Sequence, residues 1–401
     1  MERDSLIRHQ IVIVGGGFAG FWSAAAARRV GGGDVAITLV SASDSLVIRP
    51  RLYEAHPETL AVELDPLLGA LDVMLVVDSA LSIDFHAQTV DLRERQPLRF
   101  DRLVVAAGSV MARPSIDGAS SAFSIDTQQE AIRFDHRLAE IAADATGDRR
   151  ACIAIIGAGF TGIELALEMA DRLAAHATPG ERAESEQRRS LRVVLIYRAG
   201  VIGADLGAGP RAAITEALDA AGVERFVDAS VVAIRADRVT LVDGTVIVAD
   251  AVVLTTGLVA APLVASVPGD RDNTGRIMVD RYLRAPSASN VFVAGDAASA
   301  DVGDGNQTLM SCQHAMRLGR FAGENAARDL LGLPLVAYEQ LRYVTCLDLG
   351  RSGAVFTTGW DRRVSMTGRD AKALKRRING EIIYPPKDAN RVDLLTASEL
   401  D

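Results

Sequence analysis

The stretch IVIVGGGFAGFWSAAAARR, Ile11–Arg29, decides the fold class of this chain. A β-branched run typical of a buried strand passes through three glycines into an alanine-rich run typical of a helix. Gly15 permits the tight turn, Gly17 lets a pyrophosphate approach the backbone, and Gly20 lets the helix pack closely on the strand. Because the free N–H groups of the helix N-terminus point at this turn, the pattern predicts a dinucleotide-binding site.

A second stretch, IAIIGAGFTGIELALEMADR, Ile153–Arg172, repeats the pattern. Gly157, Gly159 and Gly162 take the same three places. One such motif is a weak signal, since glycine-rich turns are common. Two copies, each between a strand and a helix, predict two dinucleotide sites in one chain.

Length and composition bound the rest of the molecule. A chain of 401 residues exceeds one simple core, and we expect two or three domains. The formal charge of -9 argues against nucleic acid as a partner. The sequence has no run of about 18 apolar residues and no apolar signal region, so we expect a cytoplasmic protein without membrane spans.

The three cysteines, Cys152, Cys312 and Cys346, are scattered along the chain. They are too few for a disulfide scaffold or a structural zinc site, and no metal site is predicted. Because no two of them are close in sequence, the chain lacks the mark of a redox-active dithiol.

The order of elements predicts an α/β fold. Over roughly the first 300 residues, strand-like runs alternate with helical patterns, as in units built around parallel sheets. We expect two Rossmann-like dinucleotide-binding domains and a small C-terminal α+β region. The polar stretch His176–Ser190 is expected to be a surface loop. Near the C-terminus, YVTCLDLGRSGAVFTTGW predicts strands and RDAKALKRRI predicts a short basic helix.

Both motifs lack the acidic residue that usually follows the second strand and binds the adenine ribose. Ser41 stands there in the first copy, and its hydroxyl binds a ribose more weakly than a carboxylate does. Tyr197 stands there in the second copy, followed by Arg198. Since an arginine at this place accommodates a 2′-phosphate, NADH and NADPH both stay open as donors.

Four further segments resemble a known family. They are RPRLYE (Arg49–Glu54), DRLVVAAGS (Asp101–Ser109), ADAVVLTTGL (Ala249–Leu258) and NVFVAGDAA (Asn290–Ala298). With the two glycine motifs, they resemble the two-dinucleotide-binding flavoproteins of the pyridine nucleotide-disulfide oxidoreductase superfamily. The similarity is greatest to the type II NADH dehydrogenases and their soluble relatives, and it covers most of the chain.

The resemblance implies FAD in the first copy and NAD(P)H in the second. It assigns residues 1–125 and 250–325 to an FAD-binding domain, 126–249 to an NAD(P)H-binding domain and 326–401 to a C-terminal domain. In the family, the Gly-Asp element brings Asp296 to the ribityl chain of FAD.

The motifs and the resemblance together name the cofactor contacts. Those expected at FAD are Gly15, Gly17, Phe18, Ala19, Gly20, Ser41, Arg49, Pro50, Ala80, Ala107, Gly108, Gly295, Asp296, Cys312 and Gln313. Those expected at NAD(P)H are Gly157, Gly159, Gly162, Tyr197, Arg198 and Gly257.

Glu164, in GFTGIELA, is the predicted catalytic residue. It matches a family glutamate near the nicotinamide, where it would orient the carboxamide or assist protonation. The alternative is a polar position on a packed helix. Cys312 has a redox interpretation and a simpler one as a small buried residue. His314 and Arg317, at i and i+3, either gate an acceptor pocket or belong to a helix surface.

Two departures from the type II NADH dehydrogenases weigh against a membrane-bound quinone reductase. Gln313 matches their repeated-glutamine pattern, but Arg317 stands where the second glutamine is expected. The chain also lacks their long amphipathic C-terminal helices. The basic cluster of Lys372, Lys375, Arg376 and Arg377 either contacts anionic lipid or is a solvated helix face, and the second is favoured because no aromatic face accompanies it.

The resulting prediction is an FAD-dependent NAD(P)H oxidoreductase that passes hydride to flavin and on to a small-molecule acceptor, a quinone or another. Alternatives are a membrane-peripheral NADH:quinone reductase, a sulfide:quinone reductase, a reductase component serving a partner oxygenase, and a non-catalytic flavin-binding protein. Membrane association is not expected, and the oligomeric state, with a homodimer as one candidate, is left open.

Overall fold

One strand of the first sheet contains the β-branched run that precedes the first glycine motif, Ile11–Val14. The computed structural model describes residues 9–144, 150–175, 191–340 and 342–400, and the predicted loop from 176 to 190 lies outside them. The sheet has the order β21-β22-β9-β1-β2-β5. Its strands are β1 (His9–Val14), β2 (Val35–Ser41), β5 (Met74–Val77), β9 (Arg102–Val105), β21 (Arg284–Ala285) and β22 (Ala288–Val293).

A second sheet repeats this design around the second glycine motif. It has the order β11-β18-β12-β13-β14, and all its neighbouring strands pair in parallel. Its strands are β11 (Phe123–Ser124), β12 (Ala151–Ile156), β13 (Leu191–Ile196), β14 (Glu224–Phe226) and β18 (Ala251–Leu254).

Each of these two sheets, of which the first has one antiparallel edge strand, β21, is accompanied by a three-stranded antiparallel sheet inserted at the same place in the order of strands. The first consists of β6 (Ala80–Asp84), β7 (Thr89–Leu92) and β8 (Leu98–Arg99), and the second of β15 (Val231–Arg235), β16 (Arg238–Leu241) and β17 (Val246–Val248). The repeated sequence pattern therefore corresponds to a repeated arrangement of strands, and the predicted α/β class is confirmed. The domain boundaries remain a prediction.

Helices cover one face of each parallel sheet. Within the described residues the helices are α1 (Phe18–Gly31), α2 (Leu64–Ala70), α3 (Gln128–Asp144), α4 (Phe160–Ala175), α5 (Arg211–Ala220), α6 (Cys312–Leu330), α7 (Gly368–Arg377) and α8 (Arg391–Thr396).

The central strands alternate between two hydrophobic cores. Ile11 and Ile13 of β1 pack with α1, α2 and α6, whereas Val12 and Val14 pack on the other face with β7. Because both faces are covered, β1 is apolar from Ile11 to Val14, as expected for a parallel sheet. β12 repeats the arrangement, with α3, α4 and α5 on one face and β16 on the other.

The C-terminal part forms an antiparallel sheet and a basic helix, as predicted. The sheet consists of β24 (Val344–Asp348), β25 (Ala354–Thr358) and β26 (Arg363–Thr367), and α7 lies against it. The remaining strands form pairs, which are β3 (Ser45–Val47) with β4 (Ala61–Glu63), β10 (Ser109–Met111) with β19 (Leu258–Ala260), and β20 (Ile277–Met278) with β23 (Ala298–Ser299). None of the described helices has the length and apolar composition that a membrane span requires.

Candidate functional site

In the first glycine turn, called here the first cradle (Gly15–Gly20), the motif glycines Gly15 and Gly20 are close-packed and Gly17 faces open space. Gly15 has a φ of 118°, and a Cβ added there would lie 2.1 Å from the Ala106 carbonyl oxygen. A Cβ added at Gly20 would lie 1.7 Å from the Gly15 carbonyl oxygen. A Cβ at Gly17 would meet nothing within 4 Å. The open space lies at the N-terminus of α1, and so the cradle fits a diphosphate.

The second cradle (Gly157–Gly162) has the same geometry. Gly157 has a φ of 116°, and its added Cβ would lie 2.3 Å from the Thr255 carbonyl oxygen. At Gly162 the added Cβ would lie 2.0 Å from the Gly157 carbonyl oxygen, while Gly159 again faces open space. This turn precedes α4 and fits a second diphosphate for the same reason.

Several predicted contacts gather at the carboxyl ends of the first sheet's strands. Ser41 ends β2 and lies under the cradle, since a Cβ at Gly16 would lie 2.2 Å from its hydroxyl oxygen. Ala107 and Gly108 follow β9, and Ala80 begins β6 just after Asp78, whose N–H donates to the Ser41 carbonyl at 2.8 Å. Ligands of open α/β sheets bind at this edge.

Arg49 joins two aspartates that follow equivalent strands of the two sheets. Asp296 follows β22 and Asp126 follows β11, and these two strands hold the same place in their sheets. Arg49 pairs with Asp126, lies 3.8 Å from the Asp296 carboxylate, and donates to the Ser109 hydroxyl at 2.8 Å. The Ser109 hydroxyl in turn donates to Asp296 at 2.6 Å. Burial raises the pKa of Asp296 above its usual value.

The N-terminus of α6 lies beside the first cradle. A Cβ added at Gly295 would lie 2.7 Å from the Ala19 side chain, which follows Phe18 at the start of α1. Cys312 begins α6, with Gln313 next, and burial raises the pKa of the Cys312 thiol to about 11. The thiol is therefore protonated at neutral pH, although the residue as a whole is half-buried.

His314 is buried rather than part of a helix surface. It is 0% exposed, packs against Tyr343 and Trp360, and contacts the Ser311 hydroxyl through Nδ1 at 2.9 Å. Burial lowers its pKa to about 4, so the ring is neutral. Arg317 does not share this environment, because it packs over Phe321 on the same helix. The two residues predicted to share a helix face therefore differ in burial.

The second sheet gathers its own predicted contacts. Tyr197 follows β13 and is buried, whereas Arg198 beside it is exposed. Gly257 follows β18 with a φ of 93° and faces open space. Pro50, which was predicted to contact FAD, lies in a short 3-10 helix beside Arg49 and is not part of the second sheet.

Glu164 is the centre of a buried ion pair. It lies on the first turns of α4 and is 3% exposed. Its Oε1 accepts hydrogen bonds from the Lys375 ammonium and from the Asp348 backbone N–H, both at 2.8 Å. Lys375 is 5% exposed and also donates to the Cys346 carbonyl at 3.1 Å. A buried ion pair of this kind needs such additional hydrogen bonds to compensate for the lost water.

One helical turn further along α4, Glu168 extends the cluster. It lies 3.5 Å from the Lys372 ammonium, which also pairs with Asp348. Together Glu164, Glu168, Asp348, Lys372 and Lys375 form what we call the acid–base cluster. It joins α4 to the C-terminal sheet and helix.

Tyr53, which lies between β3 and β4, reaches the same cluster. Its hydroxyl lies 3.3 Å from Asp348 Oδ2 and accepts from Asn379 at 3.3 Å. The side chain of Asn379 also donates to Glu54 at 2.8 Å. The cluster therefore joins three parts of the chain. They are Tyr53 after the first cradle, α4 after the second cradle, and the C-terminal sheet with α7.

Burial moves the pKa values of two carboxyl groups of the cluster, Glu164 and Glu168, well above their usual range. Burial raises the pKa of Glu164 to about 7, with Lys375 opposing the rise. Burial and the neighbouring Asp348 raise the pKa of Glu168 to about 7, with Lys372 opposing. Burial lowers the pKa of Lys375, but the Glu164 carboxylate outweighs it and the pKa lies above its usual value. Glu164 can therefore hold or release a proton near neutral pH while Lys375 stays charged.

The expected solvated basic helix is wrong for two of its four members. Lys372 and Lys375 point into the acid–base cluster, because residues three apart on α7 share the face that meets α4. Arg376 and Arg377 are exposed.

Sequence reasoning missed several residues of these sites. Tyr53 lay within RPRLYE, and Glu168 is one turn from Glu164, so both carried a local signal. Asp126 and Asp348 carried none, because their partners are distant in sequence.

Comparisons with known proteins agree with this architecture. A family model for pyridine nucleotide-disulphide oxidoreductases matches residues 9–319. An NADH dehydrogenase-like protein of Mycobacterium tuberculosis is 38% identical over 396 residues, covering 97% of this chain and 98% of the relative. A demethylphylloquinone reductase of Synechocystis is 29% identical over 367 residues, covering 87% of each chain. The solved structure of NDH2 from Plasmodium falciparum in complex with NADH has a TM-score of 0.79 over 97% of each chain, at 11% identity, which is a likeness of fold.

The predicted family resemblance and cofactor classes are thereby confirmed. The chain belongs to the pyridine nucleotide-disulphide oxidoreductase family and is an FAD-dependent oxidoreductase that uses NAD(P)H.

Proposed function

We propose that the protein oxidises NAD(P)H at a flavin held by the first cradle and passes the electrons to a small-molecule acceptor, with Glu164 exchanging the proton. The observation that carries the proposal is the buried pair of Glu164 and Lys375, at 2.8 Å, on the helix that begins at the second cradle. A dinucleotide fold needs no buried carboxylate there for packing, whereas proton exchange near neutral pH does.

The two cradles supply binding and orientation. When bound, FAD supplies a group that accepts a hydride and later gives up electrons. Gly17 and Gly159 leave space for the two diphosphates at the N-termini of α1 and α4. Asp296, buried and hydrogen-bonded to Ser109, offers a carboxylate to a ribityl hydroxyl.

Glu164 is placed to hold a proton at Oε. Its pKa of about 7 makes the protonated and charged forms similarly populated at neutral pH. Lys375 fixes the carboxylate by donating to Oε1, and the Asp348 N–H donates to the same atom. With both donors on Oε1, the proton is held at Oε2. Oε2 is thus the oxygen that would be left to orient the carboxamide of a bound nicotinamide.

One relative is named as a demethylphylloquinone reductase, and its name supports a small quinone as the acceptor. Arg317 bears on this choice. Its Nε donates to the Glu339 carbonyl at 2.5 Å and its guanidinium lies over the Phe321 ring. We propose that Arg317 borders the acceptor site, where its charge would favour a polar acceptor over one with a long isoprenoid tail.

Anaerobic addition of NADH and of NADPH to the FAD-loaded protein tests the proposal. We expect at least one nucleotide to bleach the yellow flavin absorbance. Quinones, dyes and oxygen are then added in turn, and at least one small acceptor should restore the colour. A protein that takes up no FAD, or a flavin that neither nucleotide bleaches, would contradict the proposed function.

A further inference from the structure

A solvent-open cavity of about 710 Å³ lies beside the carboxyl end of β13. Its lining includes Tyr197, which stands where the ribose-binding carboxylate is usually found, and Phe226 at the end of the neighbouring strand β14. Arg211 of α5 and Arg225 of β14 also line it. In a Rossmann-like unit the adenine ribose lies at the end of the second strand, which here is β13.

The charges around the cavity favour an anion. Glu224, which also lines it, is paired with Arg192 at 2.6 Å. Arg225 pairs with Asp219 at 2.5 Å, and the Asp219 side chain is 58% exposed. Arg211 donates to the Ile202 carbonyl at 3.3 Å, a neutral partner. Of the two lining arginines, Arg225 is paired with an exposed carboxylate and Arg211 donates to a carbonyl, so the cavity wall carries a net positive charge.

Arg225 lies close to the Tyr197 phenol. Burial raises the pKa of Tyr197, and the positive charge of Arg225 counters part of that rise. Tyr197 therefore stays neutral near pH 7, so the position that usually carries a carboxylate carries no charge that would repel a phosphate. Arg198, the next residue, is exposed but does not line the cavity, so Arg225 is the arginine beside the Tyr197 phenol. Arginine offers a planar fork that binds phosphate oxygens in pairs.

We infer that this cavity takes the 2′-phosphate of NADPH, with Arg225 as its ligand and Asp219 as the carboxylate that the phosphate displaces. The inference rests on the proposed use of the second cradle for the nicotinamide nucleotide and names NADPH as the preferred donor. Arg211 has a positioning role, because its side chain holds the loop that follows β13.

Calorimetric titration of the FAD-loaded protein with 2′,5′-ADP and with 5′-AMP tests the cavity without turnover. We expect 2′,5′-ADP to bind at least about tenfold more tightly, the usual size of one charge-assisted contact. Arg225→Gln should remove most of this preference and leave 5′-AMP affinity unchanged. Asp219→Asn should increase the preference, since it removes the competing carboxylate.

Arg235→Gln is the matched control. Arg235 also pairs with an exposed aspartate, Asp117, at 2.6 Å, but it lies on β15 and does not line the cavity. It should leave both affinities unchanged. Equal affinity for the two nucleotides, or an equal loss of both in Arg225→Gln, would overturn the inference.

The same titrations separate this inference from the proposed function. If NADH bleaches the flavin while 2′,5′-ADP binds no better than 5′-AMP, the cavity assignment fails and the proposed function stands. If 2′,5′-ADP is preferred while neither nucleotide bleaches the flavin, the proposed function fails and the anion site stands.

Discussion

The two cradles have the same backbone geometry but lead into helices with different interiors. Counted from the last glycine, Trp22 of α1 and Glu164 of α4 hold the same position. Both are buried, at 2% and 3% exposure. α1 packs against α6 through backbone contact, since a Cβ added at Gly323 would lie 2.0 Å from the Ser23 carbonyl oxygen. α4 meets α7 through the ion pairs of Glu164 with Lys375 and of Glu168 with Lys372.

The difference between Trp22 and Glu164 indicates which of the two buried side chains serves packing alone. Burying two charges costs several kcal/mol per ion, and apolar residues of similar size would stabilise the contact at least as well. At this position α1 has the apolar residue Trp22, and the ion pair of α1 with α6, Arg29 with Glu324, lies further along the helix. Because α4 has a carboxylate at the same position, we attribute Glu164 to a task that only a titrating group performs.

The largest expected effect follows from the close-packed glycines. Gly20→Ala should cost more than about 3 kcal/mol and leave a protein without flavin colour, because the added Cβ overlaps the Gly15 carbonyl oxygen. Gly162→Ala should make the same clash in the second cradle. The assignment of the second cradle to NAD(P)H predicts that the Gly162→Ala variant still binds FAD but that NAD(P)H no longer bleaches its flavin. Absorbance spectra of the purified variants measure both effects.

Gly33→Ala is the control for this pair, since an added Cβ there meets nothing within 4 Å. It should behave like the unmodified protein. A yellow Gly20→Ala variant that binds FAD normally would show that the first cradle is not close-packed.

Breaking the ion pair should have the next largest effect. Lys375→Met leaves the Glu164 charge buried without a partner and should lower the free energy of unfolding by about 3–5 kcal/mol. The loss should be larger near about pH 8.5 than near about pH 6, because Glu164 is protonated at the lower pH. Chemical denaturation at both pH values measures it.

Arg376→Met serves as its control, because this neighbour on α7 is exposed. We expect a change within about 0.5 kcal/mol. Equal destabilisation by Lys375→Met at both pH values would argue that packing, and not charge, holds α4 to α7.

Glu164→Gln tests the proton exchange itself. We expect kcat/KM to fall about a hundredfold and the profile of rate against pH to lose its limb near pH 7. Glu168→Gln is matched, since burial raises its pKa similarly one helical turn away. It should keep the limb. A limb that survives in Glu164→Gln would assign the titration to another group.

The same substitution has a stability signature with a definite sign. Burial raises the pKa of Glu164 from 4.5 to about 7, so between these values the folded protein binds a proton that the unfolded chain has released. The free energy of unfolding therefore falls as pH rises through this window. Relative to the unmodified protein, Glu164→Gln should gain stability as pH rises from about 4.5 to about 7.

The smallest expected effect concerns the first cradle. Asp296→Asn keeps the shape of the side chain but removes the charge from the proposed ribityl contact. FAD affinity should fall about tenfold, or about 1–2 kcal/mol, as measured by titration of the apoprotein. Asp126→Asn removes the other carboxylate near Arg49 and tests whether the effect is specific to Asp296. Equal losses would mean that both aspartates act only by fixing Arg49.

Local patterns determined the two cradles and the strands around them. The glycine spacing of Gly15–Gly20 and Gly157–Gly162 is a property of one turn, and the apolar runs before it require burial on both faces. These features depend on residues within about one turn or strand of each other, and so a single sequence contains them. Ser41 and Tyr197 were found in the same way, as residues at the end of a strand, whereas Asp296 came from the resemblance to the family's Gly-Asp element.

Tertiary structure decided which distant groups meet. Lys375 is 211 positions from Glu164, and the sequence presented it only as one member of a basic cluster. His314 has helix-surface spacing with Arg317, yet Tyr343 and Trp360 bury it. Arg225 becomes a candidate phosphate ligand only because β14 pairs with β13. The physical reason is the same in each case, because pKa and burial depend on neighbours that the packing of separate elements brings together, and no local pattern encodes them.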